Sequence, residues 1–478
     1  MDQKTEQNVL STLYTRLFEA ITVTPESGAQ APFNPQTTFI QLAKNMAINP
    51  SDFENAASPA NPTGNLNSAE TFSLFVDPIP AIAADFQATA NQVSEVYKTI
   101  VNGANTHSVV DPAQKKIYEE AYNYLNVETT IKDFTGKETT QTNKSPIYQT
   151  YLQNQQAYIA AVSGYRTAYL GYNMDDVHDQ REWQARQPLL MNAVTASYDT
   201  WRAQGADQVE QALAALASSI NSSVQNAIAA AREAVSAQHQ MASNLPGGQN
   251  WLLSYAMPSN WMQKEAAINF SELSLTSKYL DKETNSTFNE WKGGVSWNLG
   301  LWSIGGGTSG HTEETNYHMQ AQNFSLSAKI GVVRVFRPWM HEFLFRMDNW
   351  FIDGRPKHGI SNGKLAGNQD NLLPLIPTSF IVARDIEISG DFSTEDKSHI
   401  EKSISGSTSV GWGPFKLSGS YTHSSSKDTF HSTFDGSTIK VPGIQIIAFA
   451  SEITPPSAPL SAPEVKENAT KKAGLATN

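Results

Sequence analysis

Residues 403–424 read SISGSTSVGWGPFKLSGSYTHS. Ile404, Gly406, Thr408, Val410 and Trp412 fall on even positions, and Ser403, Ser405, Ser407, Ser409 and Gly411 on odd ones. Successive side chains of a strand point to opposite faces, so this pattern has one apolar face and one serine face. Gly413-Pro414 is a turn signal. Beyond it Phe415, Leu417, Gly419 and Tyr421 alternate with Lys416, Ser418, Ser420 and Thr422. The stretch predicts an amphipathic β-hairpin.

Residues 290–314 carry a second run of this kind, EWKGGVSWNLGLWSIGGGTSGHTEE. Val295, Trp297, Leu299, Trp302 and Ile304 form its apolar face. Sliding the region on itself by 113 positions lays Tyr279 on Phe392, Ser296 on Ser409, Gly300 on Gly413, Trp302 on Phe415 and Ile304 on Leu417. The match predicts a duplication, 268–336 and 380–450. Each unit holds a strand, a charged turn, the hairpin, a polar return and an apolar strand (KIGVVRVF; VPGIQIIAF). Trp297, Leu299 and Trp302 of the first hairpin, with Val410, Trp412, Phe415 and Leu417 of the second, are the candidate membrane or interface tips.

Upstream the period changes to 3.6. Leu10, Leu13, Leu17 and Ile21 predict a helix over 2–22. Residues 23–79 are rich in Pro, Asn, Ser and Gly and read as an extended loop, broken by a helical turn near Phe39–Met46. Asp111-Pro112 and Ser145-Pro146 place an N-cap before a first-turn proline, a helix-opening device. After the second, Ile147, Tyr151, Tyr158, Val162, Tyr165 and Tyr169 form a stripe that reads as a half-buried helix–helix seam. The longest helical pattern covers about 189–242, with Gly205 as its weak point. At ~1.5 Å per residue its roughly 50 residues would make a rod on the order of 75 Å. Its steps of four outnumber steps of three, which predicts a nearly straight seam.

The expected fold class is α+β. A helical domain (1–245) precedes an antiparallel β domain (246–453), a sandwich or twisted sheet built from two hairpin units, and a disordered Pro/Ala/Lys tail (454–478).

Composition narrows the function. The chain has 478 residues, a net charge of −12, 40% hydrophobic residues, 17% charged residues and no cysteine. The acidic balance, without a Lys/Arg cluster, argues against nucleic acid as a partner. The lack of cysteine removes disulfides, thiol catalysis and Cys-ligated metals. No positively charged region precedes an apolar block in MDQKTEQNVL, so no signal peptide is expected; the localisation stays open, with release by a non-classical route consistent with this. No run reaches the ~18 apolar residues of a membrane-spanning helix.

No P-loop, GxSxG elbow or HExxH motif occurs. His311 and His318, flanking Glu313 and Glu314, have no standard zinc spacing and read as a solvated turn. His341-Glu342 reads as packed among aromatics. Asp175, Asp176 and Asp179 read as helix-capping residues. No catalytic residue, metal or cofactor is expected.

In their Ser/Thr/Gly composition and aromatic tips, the hairpins resemble the stems of β-pore-forming toxins. The resemblance covers about 50 residues in two patches and is one of class. The long rod ahead of a β region resembles the architecture of α-helical pore-forming toxins. A membrane strand needs about 9–11 alternating residues, which Ile404–Trp412 and Phe415–His423 supply. The resemblance implies a protein that is soluble until its hairpins are exposed, partners of the same chain or a second protein component, and a lipid membrane as target. The competing expectation is a non-catalytic filament, coat or scaffold subunit, built on the same rod and strands.

Overall fold

A computed structural model describes residues 3–22, 33–58, 61, 63–106, 112–132, 138–172, 176–216, 221–236, 240–241, 250–263, 270–277, 301–304, 319–406, 409–421 and 429–462. The chain is mixed α and β with antiparallel sheets. Among the described residues the helices are α1 (Gln3–Thr22), α2 (Leu66–Phe75), α3 (Val93–Gly103), α4 (Pro112–Leu125), α5 (Pro146–Leu170), α6 (Val177–Trp201), α7 (Asp207–Leu216), α8 (Asn221–Ser236) and α9 (Thr394–Ser405). The strands that organise them are β1 (Thr38–Ala47), β2 (Asn126–Lys132), β3 (Glu138–Lys144), β4 (Ser271–Thr276), β5 (Trp302–Ile304), β6 (Met319–Phe336), β7 (Leu375–Phe392), β8 (Val410–Trp412), β9 (Phe415–Ser420), β10 (Thr429–His431) and β11 (Thr438–Ile453).

The main sheet runs β1-β11-β7-β6-β4, all neighbours antiparallel. The sequence of β6 shows why it sits centrally. Phe324, Leu326, Ala328 and Ile330 alternate with polar residues, then Val332, Val333 and Val335 run on with both faces buried. One sheet face carries Leu326, Ile330, Ile381 and Ile388, in one core with α1 and the smaller sheet. The opposite face carries Val333, Phe380, Val382 and Ile446, packed on Phe53, Phe72, Phe75 and Trp261. Phe380 meets Trp261 edge-on, with ring centroids 5.0 Å apart.

The stripe read in α1 is buried in full, and so are its flanks: Val9, Tyr14, Arg16 and Phe18 join Leu10, Leu13, Leu17 and Ile21 inside. A helix buried on every side acts as a core element of a larger body. Its buried threonines turn their hydroxyls onto the helix backbone, Thr12 to the Asn8 carbonyl at 2.8 Å and Thr22 to that of Phe18 at 2.7 Å.

The tyrosine seam closes as the spacing predicts. α6 folds back along α5, pairing Tyr158 with Tyr198 at 5.6 Å, Tyr151 with Trp201 at 5.5 Å and Tyr169 with Trp183 at 5.2 Å. These helices, with α3, α4, α7 and α8, enclose Trp339, Leu344 and Trp350 from the stretch after β6.

Four expectations are corrected. The expected very long helix is present, at 40 residues, but its bounds differ from 189–242: it runs Val177–Leu216, with Pro188 inside α6. It is no straight rod, because it bends where Gln204 and Gly205 leave helical geometry, Gly205 at φ +90°. Arg202 staples the bend, donating to Glu210 at 2.9 Å and reaching Asp207. α8 ends at Ser236, and Gln240–Met241 already pairs as a strand with Trp251–Leu252. Second, Phe39–Met46 lies in a strand: β1 pairs with β11 at the sheet edge, Thr38 opposite Glu452. Residues 1–245 therefore contribute a strand to the main sheet. Third, residues 394–405 are helical, not the lead-in of the hairpin, with Ile400 and Ile404 turned into the core. Fourth, the tail is packed at its start. Ser457 donates to the Phe345 carbonyl at 3.1 Å, and the Thr454 carbonyl accepts from Ser361 at 2.6 Å. Residues 463–478 lie outside the described residues.

Candidate functional site

The candidate tips meet in a small sheet ordered β5-β8-β9-β10. Gly413 adopts φ +54° in the Gly413-Pro414 turn, and Trp412 pairs with Phe415 across it. β5 then pairs with β8: Trp302 lies opposite Trp412, Ser303 opposite Gly411 and Ile304 opposite Val410. Trp412 has no exposed surface and stacks on Phe324 of the main sheet at 5.5 Å. Trp302, Val410, Phe415 and Leu417 are buried in the same core as α1. Leu10 of α1 lies beside the Gly413 turn, 3.4 Å from where a Cβ there would stand. In this conformation these five residues face a core and present no tip to solvent. Trp297 and Leu299 lie outside the described residues, as does most of the first hairpin.

A buried amide ties the small sheet to the large one. Gln445 of β11 donates to the Lys416 carbonyl at 2.6 Å and accepts from the Lys416 N–H at 2.8 Å. This pair of bonds satisfies the Lys416 backbone N–H and carbonyl from the side of the main sheet. Ser432 adds a bond to the Leu417 carbonyl at 2.7 Å.

The sequence motifs are placed as follows. Asp176 caps α6, accepting from the His178 N–H at 2.7 Å and the Asp179 N–H at 3.3 Å. His311 and His318 lie outside the described residues, as does Asp175. His341 is packed among aromatics. It is 8% exposed, its Nε2 meets the Tyr118 hydroxyl at 2.6 Å, and its ring lies within 4° of parallel to Tyr122. Burial, with the Lys144 ammonium as a smaller second cause, pushes its imidazole down to about 4.

The sign of the resulting pH dependence follows from that shift. Below about pH 6.5 the unfolded chain takes up a proton that folded His341 refuses. Stability is therefore expected to fall as pH drops from about 6.5 toward about 4, by roughly 2–3 kcal/mol from this group. Urea titrations at neutral pH and near pH 4.5 check it. His341→Phe should lose that part of the slope, and an equal slope in the variant would remove the assignment.

A second feature was not read from sequence. A groove of about 670 Å³ opens between α5, the α6–α7 bend and the ends of β6 and β7. Tyr148, Tyr151, Trp201 and Phe336 are among its lining rings, and Lys144, Arg334 and Arg346 among its cations. The threonine-bearing, largely exposed hairpin β2–β3 delivers Lys144, whose Nζ stands 4.8 Å from the Tyr148 ring centroid. Arg334 follows from strand alternation: Val333 and Val335 point into one core, so Arg334 and Phe336 point the other way. The signal was a lone arginine inside the apolar run KIGVVRVF.

Comparison with protein-family models, with curated proteins and with solved structures finds no match.

Proposed function

We propose that the chain is a self-assembling, membrane-acting protein in which two amphipathic connections leave the small sheet and lengthen the strands they join. One observation carries this reading. The connection 277–318 links β4 to β6, and 393–437 links β7 to β11, each a pair of adjacent antiparallel strands. Each connection holds one of the alternating, weakly charged runs. Extended, each would continue an existing hairpin of the main sheet. The repeated plan of strand, excursion to the small sheet and returning strand also supports an internal duplication, with the smaller sheet layered on the larger.

The energetics fit a protein held closed until triggered. Undocking the small sheet bares Trp302, Val410, Trp412, Phe415 and Leu417, each worth about 1.5–3 kcal/mol. The total, on the order of 10 kcal/mol, is prohibitive in water and recoverable in a bilayer. Hairpins in lipid need every edge paired, so several copies must close a barrel together. Among the described residues no helix is long and apolar enough to cross a membrane, which leaves strands as the spanning element in this reading.

The full burial of Trp412 also favours a second reading, a non-catalytic scaffold or coat subunit in which the small sheet is permanent core. Dye release from liposomes separates the two. Leakage, with rings seen by negative stain only when lipid is present, supports membrane action. No leakage and no vesicle binding across pH and lipid composition, with open filaments forming in the absence of lipid, supports the scaffold.

A further inference from the structure

The groove between α5 and the ends of β6 and β7 is built like a site for a small charged molecule, independently of any membrane role. Its volume of about 670 Å³ falls in the ordinary range of ligand pockets. Its acids are mostly answered: Glu452 takes Arg346 at 2.8 Å, and Glu210 takes Arg202 at 2.9 Å. Arg337 is held through its two terminal nitrogens, which donate to the Pro377 and Val76 carbonyls at 2.6 Å each, and only its Nε is left without a partner.

Two cations are not answered. The guanidinium of half-buried Arg334 makes no hydrogen bond or ion pair among the described residues, its Nε is shut from water, and it lies 5.1 Å from the centroid of the Phe33 ring. Lys144 likewise has no carboxylate within ion-pair distance there; Glu342 is the nearby rim acid, exposed and unpaired with either. Burial holds both cations below their usual pKa values. Ser379 sits directly opposite Arg334 on β7, buried, with its hydroxyl unpartnered. Orphaned buried donors are costly and rare, and two of them in one cavity, the Arg334 Nε and the Ser379 hydroxyl, beside the half-buried Lys144 ammonium, call for an acceptor.

We propose that this groove binds a small amphiphilic anion: a carboxylate, sulfonate or phosphate ester held by Arg334, Lys144 and the Ser379 hydroxyl, on a flat apolar body lying against Tyr148, Tyr151, Trp201 and Phe336. The anion supplies the acceptor that the chain lacks, and the rings supply area for the body.

Naphthalene-2-sulfonate is the test probe, with 2-naphthol as its neutral counterpart and inorganic sulfate as the bare anion, each titrated by calorimetry against the full chain. The sulfonate is expected to bind saturably in the micromolar range, with naphthol and sulfate each about tenfold weaker or worse. Arg334→Met and Lys144→Met should each weaken the sulfonate about tenfold and leave the melting temperature unchanged or raised, since each removes an unpaired half-buried charge. Equal binding of naphthol and sulfonate overturns the proposal, as does full affinity in both variants. A large fall in melting temperature for Arg334→Met would make that guanidinium structural and also overturn it. Lys144→Met, on an exposed hairpin, keeps the affinity test available should the arginine variant fail to fold. Vesicle leakage plays no part in any arm.

Discussion

Trp412→Ser is expected to lower the melting temperature by roughly 3–5 °C, from about 3–5 kcal/mol lost on deleting a buried indole and about 1 °C per kcal/mol in a chain of this size. The indole lies opposite Trp302, stacks on Phe324 at 5.5 Å and lies 6.2 Å from Phe415 between ring centroids. Removing it leaves a cavity walled by both sheets, which cannot collapse without shifting a strand of each. A solvent-exposed anchor would lose a degree or less. Differential scanning calorimetry of the wild type and variant decides the matter, and a shift below about 2 °C would contradict the burial described above.

The second large effect concerns release of the small sheet. Ser303 and Gly411 are direct partners on β5 and β8. Opposed Cα atoms in an antiparallel pair stand about 4.5–5.5 Å apart, within reach of a disulfide. The chain contains no cysteine, so Ser303→Cys with Gly411→Cys creates a single unambiguous bridge. Oxidised, it ties one connection to the other and prevents either from extending alone. We expect the oxidised double variant to release no dye from vesicles and reductant to restore release, with both single variants behaving as wild type. If the oxidised form leaks vesicles at the wild-type rate, extension of the connections is not the membrane-active step.

Local pattern was informative where one period applied. The 3.6 spacing of α1, the tyrosine seam of α5 and the turn at Gly413-Pro414 all stand as read. It failed where two periods coincide. Ile400 and Ile404 are four apart, which suits an alternating strand as well as a helical turn, and the intervening polar residues do not choose. Phe39, Leu42, Ala43 and Met46 have helical spacing, yet they belong to a strand whose Ile40 and Leu42 face one core and whose Ala43 faces another. A strand buried on both faces loses its alternation. The weak point at Gly205 was legible, but not the bend, which depends on Arg202 finding Glu210. The groove was illegible for a different reason. Lys144, Arg334 and Ser379 are far apart in sequence, and only the antiparallel register of β6 and β7 and the packing of α5 collect them.

The pairing of β1 with β11 has a consequence for synthesis. Residue 38 must find residue 452, and α1 is enclosed in part by strands made about 400 residues later. During translation α1 can find α5 and β1 early, but its core is not completed until the second connection and β11 have left the ribosome. Such long-range closure slows folding and leaves part of the apolar surface of α1 exposed until the end of chain elongation. A nascent chain stalled before residue 438 should therefore bind holdase chaperones through α1, and acquire protease resistance only when β11 is added.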